Sequence, residues 1–232
     1  MKRFFRFLLM TLLVSVVSIL VVVGYFRPGL LRGTPNDGHQ LGGDISPNLP
    51  GNTIECFEAA ILNHESKSSY RYSECDIRET ADNRLVVFHD WDISSVPNTA
   101  ENREALGQPI GQQAIVDLTL QQLQALRLEG DCQIPTLQQV LDKAIELEPK
   151  KPLLLEIKYL HSNQGRQQLL ELARRFREHS QSELHFLAFI RNISRSFSDP
   201  EAWLEEVSQQ GFRVYQVYRP KTKEHDLCET WN

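Results

Sequence analysis

Two stretches alternate charged with apolar residues: Tyr72-Ser73-Glu74-Cys75-Asp76-Ile77-Arg78 and Leu153-Leu154-Leu155-Glu156-Ile157-Lys158. Side chains two apart on a strand share a face, so Glu74 projects with Asp76, and Glu156 with Lys158. Between flanking helices these charges are buried, and a buried charge without a partner or a cation is costly. One resolution is internal pairing, Glu156 with Lys158, and Glu74 and Asp76 with Arg71 or Arg78 on the surface. The other is a metal. Hard oxygen ligands converging from separate strands, with no Cys–His cluster, suit Mg²⁺ or Ca²⁺ over zinc. His39, in Gly38-His39-Gln40-Leu41-Gly42, and His89, in Val86-Val87-Phe88-His89-Asp90, close two further β-like runs. Two such groups can divide the work of general base and general acid. His64, His161, His179, His185 and His225 fall on or near helices, loops or a polar tail and take no role.

These residues need a scaffold of strands ending at one site. Beyond a short linker the chain alternates β-like runs with amphipathic helices, the pattern of a parallel sheet or barrel. Strands are expected at Tyr70–Arg78, Leu85–His89, Leu153–Lys158, Leu184–Ile190 and Phe212–Tyr218, with a short first strand ending at His39. Asn52 with Glu55 reads as a capping box before Ile54, Phe57 and Ile61, and Thr136 with Gln139 does the same before Leu137, Val140, Leu141 and Ala144. Further helices span Arg166–Glu178 and start at Asp199-Pro200, the latter stopped by Gly211. Six β units in about 200 residues, against roughly 250 for an eight-stranded barrel, predict an α/β fold of the TIM-type (β/α) barrel class, shortened or incomplete at its C-terminus. The carboxylates then sit at the C-terminal strand ends, where this architecture places active sites.

The 232 residues are 41% hydrophobic and 24% charged, which fits one globular domain and excludes disordered and collagen-like classes. Residues 1–27 carry Lys2, Arg3, Arg6 and Arg27 and no acid, leaving 21 basic against 30 acidic side chains, a charge of −9, in the remainder. An acidic domain argues against nucleic acid as a partner. Phe7–Phe26 is 20 residues without a charge, enough to span roughly 30 Å of hydrocarbon as a helix. Bulky Tyr25 and Phe26 follow it rather than a small-residue cleavage site. The expectation is an uncleaved single-pass transmembrane anchor over residues 1–27, a linker over 28–36 and the barrel domain over 37–232. The N-terminal positive charge keeps that end cytoplasmic and puts the domain on the periplasmic or other extracytoplasmic side. Cys56, Cys75, Cys132 and Cys228 show no metal-type spacing and read mostly as buried thiols. Asn192-Ile193-Ser194 is a short glycosylation sequon.

Seven motifs run in order: His39 with Gly42; Asn52-Thr53 with Phe57 and Ala60; Glu74-x-Asp76 with Thr80 and Asp82; Val87-x-His89-Asp90; Leu118-Thr119 with Leu123; Ile134-Pro135-Thr136-Leu137 with Val140-Leu141; and Glu156-Ile157-Lys158. Together they make residues 37–160 resemble the glycerophosphodiester phosphodiesterase family. The resemblance implies a metal-dependent barrel enzyme, with His39 and His89 as the acid/base pair. It implies that Glu74, Asp76 and Glu156 hold one divalent cation, Mg²⁺ or Ca²⁺, and that Lys158 contacts the substrate phosphate. It also makes Trp91–Asp117 the insertion that helps cover the substrate. Three positions depart from the family pattern. Gln40 replaces an arginine at the phosphate-binding position, Gly51 replaces a glutamate, and the chain ends at Trp231-Asn232 without two closing strands. The lost arginine weakens phosphate binding by about 1–3 kcal/mol.

The expected activity is hydrolysis of a small-molecule glycerophosphodiester to glycerol phosphate and an alcohol, at a membrane, in lipid metabolism. One rival is a phospholipase-D-like enzyme acting on lysophospholipid or sphingolipid substrates. The other is a catalytically weakened barrel that binds a phosphorylated ligand.

Overall fold

Apolar runs rich in Val, Leu and Ile form strands that are buried on both faces, as a sheet covered by helices requires. The structure, a computed structural model, describes residues 36–193 and 198–217. Its elements are α1 (Ile54–His64), β1 (Ser73–Glu79), β2 (Leu85–Val87), α2 (Ala100–Leu106), α3 (Leu120–Ala125), α4 (Leu137–Leu147), β3 (Leu153–Tyr159), α5 (Asn163–His179), β4 (Leu184–Phe189), α6 (Ile190–Ile193), α7 (Pro200–Gln209) and β5 (Arg213–Val217). The strands form one sheet in the order β2-β1-β3-β4-β5, antiparallel between β1 and β2 and parallel elsewhere. The α/β class is thus as expected. Among the described residues no pairing closes β5 onto β2, and the sheet has five strands rather than six.

The missing unit is the first. His39 does not end a strand; it opens a 3₁₀ turn over His39–Gly42 in which Gln40 and Leu41 take left-handed φ of 48° and 57°. The preceding residues are tied to β1 by single bonds rather than by a ladder: Glu74 N–H to the Gly38 carbonyl at 2.8 Å, and the Asn36 side chain to the Tyr72 carbonyl at 2.9 Å. The expected anchor at 1–27, the linker up to residue 35, Cys228 and the terminal Trp231-Asn232 lie outside the described residues. So does Ser194 of the sequon. Among the described residues no helix is long and apolar enough to cross a membrane.

The main core packs α1, α4, α5 and α7 on the sheet through Phe57, Val140, Phe176, Val207 and the interior of β1, β3 and β4. Thr136 and Gln139 form the expected capping box of α4, and Asp199 caps α7. Cys56, Cys75 and Cys132 are buried free thiols. A second core lies under the 91–117 segment, where Ile93, Val96, Leu106 and Ile115 pack on Val86 and Phe88. The segment is pinned at its base by Ile115 N–H to the Trp91 carbonyl and Ile93 N–H to the Gln113 carbonyl, at 3.0 and 3.1 Å. Buried Asn102 donates to the Pro97 carbonyl within the segment and joins it to the 127–133 loop through two bonds, to the Arg127 carbonyl and from the Arg127 N–H. The 91–117 segment is therefore folded around a second core that it shares with Val86, Phe88 and Leu123.

Glu79, at the end of β1, is fully buried and accepts hydrogen bonds from the His161 and Ser162 N–H groups and the Ser162 hydroxyl. A carboxylate at the N-terminus of α5 satisfies otherwise orphaned donors and meets the positive end of the helix dipole. A side chain at Gly165 would sit 2.4 Å from the Glu79 carboxyl carbon, so glycine is required there.

His185, in β4, contacts the Glu183 carboxylate at 2.9 Å. Burial outweighs that carboxylate and holds the imidazole below its usual value of 6.5. The folded chain thus binds this proton less readily than the unfolded chain. The resulting contribution to stability is complete above pH 6.5 and is lost as pH falls through the lowered folded-state value. Between about pH 7 and pH 5, His185→Gln is expected to lose less melting temperature than the wild type. Parallel melting curves across that range would exclude this assignment.

Candidate active site

The pleat of β1 points Glu74 and Asp76 to one side, and the parallel register sets Asp76 beside Glu156 on β3. One oxygen from each of Glu74, Asp76 and Glu156 lies within 4.8 Å of the others, and all three residues are buried. Lys158 approaches Glu156 at 2.7 Å and Asp76 at 3.2 Å. Three buried carboxylates share the one ammonium in contact with them, so acids are in excess at the site. Burial, then the charges of Asp76 and Glu156, push the Glu74 carboxyl well above the usual carboxylate range. Glu74 Oε2 accepts the Gln40 N–H at 2.9 Å, while its buried Oε1 has no hydrogen-bond partner. An unsatisfied buried oxygen, an all-oxygen donor set and an excess of acids fit a divalent cation.

Two expectations about this cluster change. The carboxylates are not at strand ends: Glu74 is the second and Asp76 the fourth residue of β1, because that strand runs on into a hairpin with β2. Arg78 is not a surface partner of the acids; it is buried, and donates to the His89 carbonyl. Internal pairing of Glu156 with Lys158 is observed, without removing the excess of acids.

Asn52 is not a helix cap. Thr53 caps α1 by accepting the Cys56 N–H. Asn52 instead takes a left-handed φ of 61°, donates to Asp76 Oδ2 at 2.7 Å and accepts the Asp76 N–H at 3.2 Å. This reciprocal pair fixes the central carboxylate, a role that cap-like spacing concealed. Asn52 N–H also bonds the Gln40 carbonyl at 2.7 Å. A side chain on Gly51 would meet Gln40 Cβ and Oε1 at 2.9 Å each. The two departures at 40 and 51 are therefore one packed contact.

Each candidate histidine has a carboxylate at Nδ1. His39 Nδ1 lies 3.0 Å from Asp44 Oδ2 and its Nε2 lies 3.9 Å from Glu74. His89 Nδ1 lies 2.8 Å from Asp90 Oδ1. Burial would raise Asp90, but hydrogen bonds from Ser95 and His89 prevail and lower it. An ionised carboxylate only accepts, so Nδ1 carries the proton and Nε2 is the basic nitrogen. Asp90 adjoins His89 in sequence, but Asp44 reaches His39 only through the left-handed turn.

Gln40, Gly51, Asn52, His89 and Asp90 share a cleft of 330 Å³ with Ser95 and Pro97 of the insertion and with Leu128 and Glu129. Phe88 N–H bonds the Asp76 carbonyl at 2.9 Å, tying this wall to the carboxylates. The structure thus brings all seven sequence-predicted residues to one region: Glu74, Asp76, Glu156 and Lys158 in contact, His39 and Gln40 against Glu74, and His89 on the cleft.

On β3 the register with β1 slips, so that Arg78 pairs with Tyr159 and Lys158 is the extra residue of a bulge. Tyr159 meets Trp91 edge-on at 5.1 Å, and Trp91 lies under the Arg78 guanidinium at 5.8 Å.

The sheet and its helices are similar to solved structures. A protein from Silicibacter pomeroyi described as a glycerophosphoryl diester phosphodiesterase is 20% identical, with a TM-score of 0.52 over 76% of this chain and 63% of that one. A glycerophosphoryl diester phosphodiesterase from Parabacteroides distasonis is 20% identical, with a TM-score of 0.45 over 83% and 65%. A glycerophosphodiester phosphodiesterase from Thermotoga maritima is 20% identical, with a TM-score of 0.48 over 83% and 66%. The chain spans less than two thirds of the length of each of these. No curated protein sequence matches it significantly. The sequence profile of the glycerophosphoryl diester phosphodiesterase family matches residues 45–201, more than half of the chain and including Glu74, Asp76, His89, Glu156 and Lys158, and the chain belongs to that family.

Proposed function

We propose that this protein is a metal-dependent phosphodiesterase that hydrolyses glycerophosphodiesters to glycerol phosphate and an alcohol. The observation that carries the reading is the buried Glu74–Asp76–Glu156 cluster, with its unsatisfied Glu74 oxygen, set beside two histidines that are each oriented by a carboxylate. Glu74, Asp76 and Glu156 would hold one Mg²⁺ or Ca²⁺, which supplies Lewis-acid charge to the phosphoryl oxygens when bound. Lys158 adds a positive charge from β3, and Gln40 offers a neutral hydrogen bond at the mouth of the cleft. One histidine accepts the proton of the attacking water as its oxygen bonds to phosphorus. The other donates a proton to the alkoxide released as the phosphorus–oxygen bond to the alcohol breaks. Asp44 and Asp90 keep each ring in the tautomer this exchange needs and stabilise its protonated form.

The same reading holds the enzyme at a membrane through Phe7–Phe26, with its N-terminus cytoplasmic and its domain extracytoplasmic. The uncharged run and the positive residues before it support this.

The test is release of glycerol 3-phosphate from glycerophosphocholine and glycerophosphoethanolamine by the full-length chain in detergent, with Mg²⁺, with Ca²⁺ and with EDTA. Release with a divalent cation that stops in EDTA and returns on readdition is expected; release indifferent to EDTA would overturn the metal reading, and no release would overturn the activity. In the same assay Gln40→Arg is expected to lower KM about tenfold, the worth of one charge-assisted hydrogen bond to phosphate. An unchanged KM would remove Gln40 from the phosphate site.

A further inference from the structure

We propose that Arg78 is the positioning residue for His89. The inference rests on the reading of His89 as an acid/base group. Arg78 is buried, 7% exposed, and it follows Glu74 and Asp76 on one face of β1. Its Nε and Nη2 both donate to the His89 carbonyl, at 3.2 and 2.6 Å. That carbonyl belongs to the peptide unit joining His89 to Asp90. The Arg78 fork therefore sets the plane from which both members of the His89–Asp90 pair project.

The sheet does not provide this restraint. β2 ends at Val87, and the last ladder-like bond before the histidine is Phe88 N–H to the Asp76 carbonyl. Beyond it the chain leaves β1 for the folded insertion. Arg78 bridges the departure; its guanidinium lies over the Trp91 ring, and Trp91 in turn packs edge-on against Tyr159. Trp91 is itself fixed by the Ile115 N–H on its carbonyl. Two of its nitrogens are engaged by the His89 carbonyl, so Arg78 is placed to act through His89. A planar guanidinium makes two bonds to one oxygen at a fixed angle, whereas a lysine ammonium offers one flexible contact.

The experiment compares wild type, Arg78→Gln, Arg78→Lys, His89→Ala and the Arg78→Gln/His89→Ala double variant, all full length and supplied with the activating cation. A displacement of the ring by about 1 Å costs about 10²-fold, so Arg78→Gln is expected to lower kcat by that factor with KM within about threefold. Arg78→Lys recovers part of the loss. In the His89→Ala background Arg78→Gln has no further effect, because the group it positions is gone. Losses that add in the double variant, or an Arg78→Gln kcat within about threefold of wild type, would overturn the proposal while leaving the phosphodiesterase reading intact. A wild type without turnover would overturn that reading instead. The positioning itself is then judged from ¹⁵N-histidine spectra. The His89 signal, identified by its loss in His89→Ala, should shift in Arg78→Gln and move back in Arg78→Lys; an unchanged signal would refute the positioning role.

Discussion

His89→Ala in the full-length chain should lower kcat on a glycerophosphodiester by about 10³-fold, within the range that a positioned acid or base contributes, with KM within about threefold. The expectation follows from the pairing of His89 with an ionised Asp90 and from its place on the cleft wall beside Asn52 and Gln40. The side chain is one-third exposed, so truncating it opens no core cavity. The melting temperature should move by less than about 2 °C, as for surface substitutions. Turnover within tenfold of wild type would show that His89 neither gives nor takes the proton, and would leave His39 and water to do so.

The second large effect concerns the carboxylates. Glu74→Gln keeps an oxygen that can accept the Gln40 N–H but removes a charge that burial and two neighbouring acids disfavour. Without added cation the variant should therefore melt at or above the wild type. With a divalent cation at about 100 times its Kd, the wild type should gain about 5–10 °C, from roughly 2.7 kcal/mol of linkage in a chain of this size. The variant should gain less than about 2 °C and turn over about 10²- to 10³-fold more slowly. A variant that keeps the full cation-induced rise would show that the metal binds elsewhere. One that melts well below the apo wild type would show that Glu74 is a structural carboxylate rather than a ligand held ready.

Much of the site was legible because it lies on strands. Alternation put Glu74 with Asp76 and Glu156 with Lys158 on shared faces, and the improbability of burying three acids beside one lysine pointed to a cation. Helices were legible through their caps and periodicity, as in Thr136–Gln139 and Asp199-Pro200. Loops were not. Asn52 has the spacing of a cap residue, yet a left-handed backbone turns its amide onto Asp76, and Thr53 takes the capping role. Asp44 reaches His39 only because Gln40 and Leu41 also adopt left-handed φ, which makes the segment a tight turn instead of a strand.

Arg78 shows the same limit for a charged residue on a strand. Alternation placed it on the face of the acids, and pairing with them on the surface was one of the two resolutions that sequence left open. Its partner is a carbonyl eleven residues on, brought close by the β1–β2 hairpin. Sequence by itself determined the candidate site residues and the α/β alternation that supports them, because period-two and period-3.6 patterns are local properties of the chain. Only the tertiary structure decided which residues orient them: the Asp44 and Asp90 carboxylates, the Asn52 amide and the Arg78 guanidinium. Those contacts depend on backbone reversals and a strand register, and no local periodicity encodes either.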